Sequence, residues 1–141
     1  MRYKHKTIAD DASCLETVVR GKNMKELFEN AAFAMFTLIA KPDKDRKRKP
    51  MKIAVTANNT EDLLMAYLRE TLHYYKVRKT LLCSFRVMLL TEHKVHAKLT
   101  GEELDRHIII NDIKSAKYGD EKIVKTRNGY LTRIVFDVNA A

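Results

Sequence analysis

"LLCSFRVMLLTEHKVHAKLT", residues 81–100, is where the hydrophobic pattern of this chain changes period, and that change decides the fold. On either side of the turn signal "TEH" (91–93), "LLCSFRVMLL" (81–90) and "KVHAKLT" (94–100) alternate with a period of two and predict the arms of a hairpin. Downstream, "HIIINDIKSAKY" (107–118), "EKIVKTR" (121–127) and "YLTRIVFDV" (130–138) predict three further strands. The Asn-Gly pair in "RNGY" (127–130) marks a second hairpin.

Upstream of residue 80 the helical period dominates. Asn23 precedes "MKELFENAAFAMFTLIAK", with Glu26 three residues later as in a capping box. Leu27, Ala31 and Met35 recur every four residues, as do Phe28, Ala32 and Phe36, so a first helix turns a broad apolar stripe to a core. "NNT" (58–60) predicts a turn and helix start with Thr60 as cap, and Glu61 and Asp62 suit the first turn of a second helix. Its buried side is Leu63, Leu64, Tyr67, Leu68 and Leu72. "CLETVVRG" (14–21) and "KIAVTA" (52–57) read as strands before each helix. The order β-α-β-α followed by a run of strands predicts a single α+β domain over 1–141, with two helices on one face of a largely antiparallel sheet.

At 141 residues and 45% hydrophobic, the chain supports one core and is short for two. No apolar run approaches the roughly 20 residues that span a bilayer, so a soluble cytoplasmic protein with no membrane partner is expected. Cys14 and Cys83 form neither a disulfide framework nor a C-x-x-C pair, which points to reduced thiols. A net charge of +9 and a pI near 9.6 favour polyanionic partners. The densest basic block, "KPDKDRKRKP" (41–50), holds six Lys and Arg, five of them between its two prolines. It reads as a solvated connection or as a patch for RNA phosphates.

Several chemistries are missing. There is no G-x-x-x-x-G-K-[ST], no G-x-G-x-x-G and no G-x-S-x-G, and the four glycines all stand at turn-like positions. His93 and His96 flank a hairpin turn without a matched Cys or acid, His73 reads as a helix-end contact, and Cys83 as core. Three features remain: the acidic "IADDAS" (8–13), "RHIIINDIKSAKYG" (106–119) and the terminal "IVFDV". Read alone, Asp137 is either the outward residue of an alternating strand or a group placed to hold something.

In order and at matching spacing, these features and both helices resemble the archease family over nearly the whole chain. "GKNMKELFENAAFAMF" is similar to its G-K-T-L-E-E-L-F-E-N-A-A helix, "NTEDLLMAYLRETLHYYKVRKTLLCSFRV" to its second helix and following strand, and "GEELDRHIIINDIKSAKYG" to its block ending in V-K-A-x-T-Y-H. The close on F-D-V is shared.

The resemblance implies an accessory protein of the RtcB-type RNA ligase of tRNA splicing, one that promotes ligase guanylylation and repeated turnover. It further implies a divalent metal ion held by the acid of an N-terminal H-T-A-D motif and by the acid and last carbonyl of F-D-V. Here these fall on Asp10, with Asp11 as the alternative, and on Asp137 and Val138, although Thr7 and Ile8 replace the motif's His and Thr. Such oxygen ligands suit Ca²⁺, Mg²⁺ or Mn²⁺. The activating lysine of V-K-A falls on Lys114. Two other readings stand beside this one. A basic RNA-binding or chaperone-like module without a catalytic role would account for the charge and "DKDRKRK" (43–49), and an autonomous hydrolase would have the acids but no nucleophile.

Overall fold

A computed structural model of the chain describes residues 2–7 and 13–139. The elements run β1 (Tyr3–Thr7), β2 (Cys14–Gly21), α1 (Met24–Ile39), β3 (Lys49–Thr56), α2 (Thr60–Lys76), β4 (Thr80–Leu90), β5 (Lys94–Glu103), β6 (Ile113–Thr126) and β7 (Gly129–Val138). The expected α+β order is present, with every strand pair antiparallel. The strands are divided between two sheets, ordered β1-β2-β7-β6 and β3-β5-β4. Both helices lie against both sheets: α1 packs on β4 and β2, and α2 on β6, β4 and β3. Among the described residues, no helix is long and apolar enough to cross a membrane.

The helix starts follow from local chemistry. Asn23 Oδ1 accepts from Glu26 N at 2.9 Å, and Glu26 Oε1 reaches back to Lys22 N at 3.2 Å. These bonds satisfy amides that have no partner inside the helix. The cap of α2 is Asn59, one residue earlier than expected, whose Oδ1 accepts from Asp62 N at 2.8 Å. Asn59 has the extended backbone a cap requires, whereas Thr60 is already inside the first turn. The stripes read on α1 and α2 are buried and meet across the helices, where the Phe28 and Tyr67 rings stand 5.5 Å apart. Phe36 carries the core on to Phe85 of β4, again at 5.5 Å between rings.

Three strand expectations change. The five-residue β1 pairs with β2 from Tyr3↔Val19 to Thr7↔Leu15, too short a segment for its alternation to stand out. Strand β3 begins at Lys49 and takes in Pro50, which an edge strand tolerates because a missing N–H there breaks no ladder. The segments 107–118 and 121–127 form one strand, β6, beginning only at Ile113, while 104–112 carries the chain from one sheet to the other. The β-branched run Ile108–Ile110 imitates a strand, but its backbone bonds go elsewhere. Ile110 N donates at 2.7 Å to the carbonyl of Ile39, the last residue of α1.

That connection is pinned by a buried acid. Glu102, 1% exposed, accepts from Asp43 N at 2.7 Å and from His107 Nε2 at 2.6 Å, and Arg48 Nε lies 3.5 Å from its other oxygen. Cys83 Sγ donates to the same carboxylate at 3.4 Å, so Cys83 is half-buried beside a charge and not a plain core thiol. Desolvation and this bond push its thiol up to about 11. Burial pushes the Glu102 carboxyl up, but bonds from the Asp43 amide, His107 and Cys83 outweigh it and hold the group below its ordinary value.

The second hairpin turns through Arg127 and Asn128, and the positive φ falls on Gly129 (146°) and not on Asn128. A Cβ there would collide with the Gly21 carbonyl at the end of β2. Gly129→Ala is expected to lower stability by about 3 kcal/mol in urea unfolding, the upper range for strain at a positive φ. Glu102→Gln should cost about 2–3 kcal/mol at neutral pH, the scale of hydrogen bonds to a charged group. Because the folded carboxyl is depressed, its contribution is present above the unfolded value and lost as pH falls through the folded one. Denaturation curves of the two proteins should therefore converge on acidification.

Candidate functional site

The last strand brings Asp137 and Val138 up to the part of β6 that carries Lys114. β7 runs between β2 and β6, with Ile134 and Phe136 wholly buried and Asp137 following them at the sheet end. Opposite Asp137 stand Cys14 on β2 and Ser115 on β6. Cys14 Sγ donates to Asp137 Oδ1 at 3.1 Å, and Ser115 Oγ to Oδ2 at 3.0 Å. These two bonds, Cys14's first, hold the Asp137 carboxyl below the usual carboxylate range, aided by the nearby charges of Lys117 and Lys114. It is an ionised, hard oxygen donor at neutral pH.

Lys114 is the extra residue of a β-bulge. The pairing passes from Ile113↔Val138 directly to Ser115↔Asp137, so two residues of β6 advance while β7 advances by one. A bulge bends its strand and re-aims a side chain. The displaced backbone is held from the helix side, because Lys76 Nζ at the end of α2 donates to Lys114 O at 2.9 Å. Between α2 and β6 lies a groove of about 380 Å³ with Arg69, His73, Lys76 and Lys114 around an apolar floor of Leu72 and Ala116. Arg69, His73 and Lys76 share one exposed face of α2.

The candidates Asp10 and Asp11 lie outside the described residues. The described backbone on both sides of that segment is at Asp137's end of the sheet: Thr7 pairs with Leu15, Leu15 with Phe136, and Val138 N donates to Ser13 O at 2.8 Å. Among the described residues, no three His, Cys, Asp or Glu side chains stand close enough together to hold a metal ion. His93 is exposed and its Nδ1 lies 3.4 Å from Ala57 O. His73 is exposed in the last turn of α2, as expected of a helix-end residue.

The basic connection is partly committed to structure. Arg46 pairs with Asp105 at 2.6 Å and Arg48 with Glu102, leaving Lys41, Lys44, Lys47 and Lys49 as exposed cations. Sequence reasoning missed Ser115 and Cys14 as partners of Asp137. Neither belongs to a motif by itself, and the only signal that could have found them is the register of β7 against both neighbours.

The comparisons with known proteins point one way. The chain matches the archease protein family over residues 8–138. Protein archease of Methanosarcina acetivorans is 30% identical over 124 residues, covering 84% of this chain and 85% of that protein. Protein archease of Pyrococcus abyssi is 31% identical over 124 residues, covering 84% and 87%. The solution structure of Methanobacterium thermoautotrophicum protein 1598 superposes with a TM-score of 0.71 over 96% of this chain and 98% of that one. At 17% identity that likeness shows the shared fold.

Removing both donors at the candidate site, in Cys14→Ala with Ser115→Ala, should raise the Asp137 carboxyl toward the ordinary aspartate value. A carboxyl-carbon NMR titration reads this directly, and an unmoved midpoint would mean that the two bonds are not its cause.

Proposed function

The chain belongs to the archease family, and from that premise we propose that it is an accessory protein of an RtcB-type RNA ligase, promoting the ligase's guanylylation and repeated turnover in tRNA splicing. The observation that carries the proposal is the bulge that sets Lys114 opposite the Asp137–Val138 strand end. A cation and an anion held on adjacent strands, each by its own structural support, suit the handling of phosphates, where positioning and electrostatics supply most of the catalysis.

The residues fit a hard divalent cation as far as they are described. Asp137 is an ionised carboxylate whose present partners are a thiol and a hydroxyl, both uncharged donors that a cation would displace or join. Asp137, the Val138 carbonyl and Asp10 or Asp11 would hold Ca²⁺, Mg²⁺ or Mn²⁺. When bound, such an ion supplies positive charge that neutralises phosphate oxygens. The chain's own residues do the rest. Lys114 presents an ammonium to a phosphate or to an acidic ligase residue, and Lys76 fixes the bulge from which it projects. Ser115 and Cys14 keep Asp137 ionised and oriented. No nucleophile is required of this chain, because the covalent chemistry is the ligase's.

The test is a ligation assay with limiting ligase. Asp137→Ala and Lys114→Ala are each expected to reduce stimulated turnover on the order of a hundredfold, the scale of losing one preorganised electrostatic group. Unimpaired stimulation by both variants would exclude the mechanism. GTP or RNA turnover by this chain without the ligase would point instead to an enzyme in its own right.

A further inference from the structure

Six large apolar side chains are exposed among the described residues, and three of them are consecutive: Ile108 at 83%, Ile109 at 40% and Ile110 at 56%. A large aliphatic side chain left in water forgoes about 1.5–3 kcal/mol that burial would return, so a cluster of three asks for a cover. The segment is held on every side. His107 is bound to Glu102, Ile110 N to Ile39 O, Asn111 Nδ2 to Leu38 O at 2.8 Å, and Asp112 to Tyr75 at 2.6 Å and Asn139 at 2.9 Å. A ridge on so fixed a backbone has little freedom left to lose on binding.

The ridge is also one wall of a groove. A cavity of about 370 Å³ lies between Ile108 and Ile110 on one side and Lys41, Pro42 and Arg46 on the other, with Arg106 at its rim. Lys41 and Arg106 are exposed cations. Apolar surface at the centre with cations around it complements a protein surface that offers an apolar side chain ringed by carboxylates.

We propose that the Ile108–Ile110 ridge and its groove are the surface on which this chain docks that protein, and that the ligase is the protein so held. The inference rests on the accessory role proposed above and adds its contact surface. Position supports it, since the ridge leads straight into Ile113, the partner of Val138, and so into the Lys114 bulge. A partner seated on the ridge would meet the candidate site beside it. Other occupants fit less well. A second copy would bring the same cations against these, an anionic membrane would face Asp43 in the lining and Asp105 bound to Arg46, and the lining's aromatic ring, His107, is 3% exposed against Glu102 and offers RNA no open face on which to stack a base.

The experiment immobilises the purified cognate ligase and titrates it with the unaltered protein, with Ile108→Ser/Ile110→Ser, and with Arg106→Glu. The double variant is expected to keep its melting temperature, to bind about 30-fold more weakly, the effect of losing an interface hot spot, and to stimulate the ligase fully when enough is added. Arg106→Glu should slow association and flatten its salt dependence. If both variants bind as the unaltered protein does, the docking surface is overturned while the accessory role stands. If the unaltered protein neither binds nor stimulates the ligase, the role falls and the named partner with it. Phosphatidylserine vesicles and sedimentation velocity complete the set. Vesicle binding or dimerisation that the double variant abolishes would overturn the proposal in favour of a lipid surface or a second copy.

Discussion

The pairing of β7 with strands on both sides is the constraint on which the rest of the molecule depends. Its register against β2 puts Cys14 opposite Asp137, and its register against β6 puts Ser115 there. Ile134 and Phe136, on the buried face of the same strand, fix that register through the core. A slip of one residue would turn those side chains outward and carry Asp137 to the wrong face. Packing and site are therefore one choice. The acid is where it is because the residues before it must be buried.

A second, smaller constraint governs the passage between the sheets. Glu102, one residue before the end of β5, is a buried charge that is tolerable only because an amide, an imidazole, a thiol and a guanidinium surround it. Those partners come from the basic connection, from β4 and from the 104–112 segment, so one carboxylate gathers three parts of the chain. Of the six cations in the basic block that composition suggests as a polyanion patch, Arg48 is drawn to Glu102 and Arg46 to Asp105. Exposed cations remain near Lys114 and around the isoleucine ridge, two places joined by a short run of backbone, and also on the β3-β5-β4 sheet at Lys52, Lys98 and Arg86.

The helices were the most legible elements. Their apolar residues recur at a spacing that has one geometric interpretation, and capping chemistry is local enough to be misplaced by only one residue, as at Asn59. Strands were legible as a class and less so in their limits. The isoleucine run looks like β structure because β-branching is a propensity, while pairing is a property of partners that a single segment does not contain. β1 is too short for its alternation to show. The family likeness supplied the candidate site residues, and the register of the strands supplied the reason that Asp137 and Lys114 stand side by side.

By itself the sequence determined the α+β order, the two buried helix faces, the absence of a nucleotide-binding loop and the polyanion-seeking charge. All of these are written in composition and in spacings of a few residues. Only the tertiary structure decided that the strands form two sheets, that Lys114 is displaced by a bulge opposite Asp137, and that Glu102 collects Cys83 and His107. Those features depend on contacts between residues far apart in the chain, whose alignment follows from how whole strands fit together in the core. No local pattern encodes an offset of one residue between two strands.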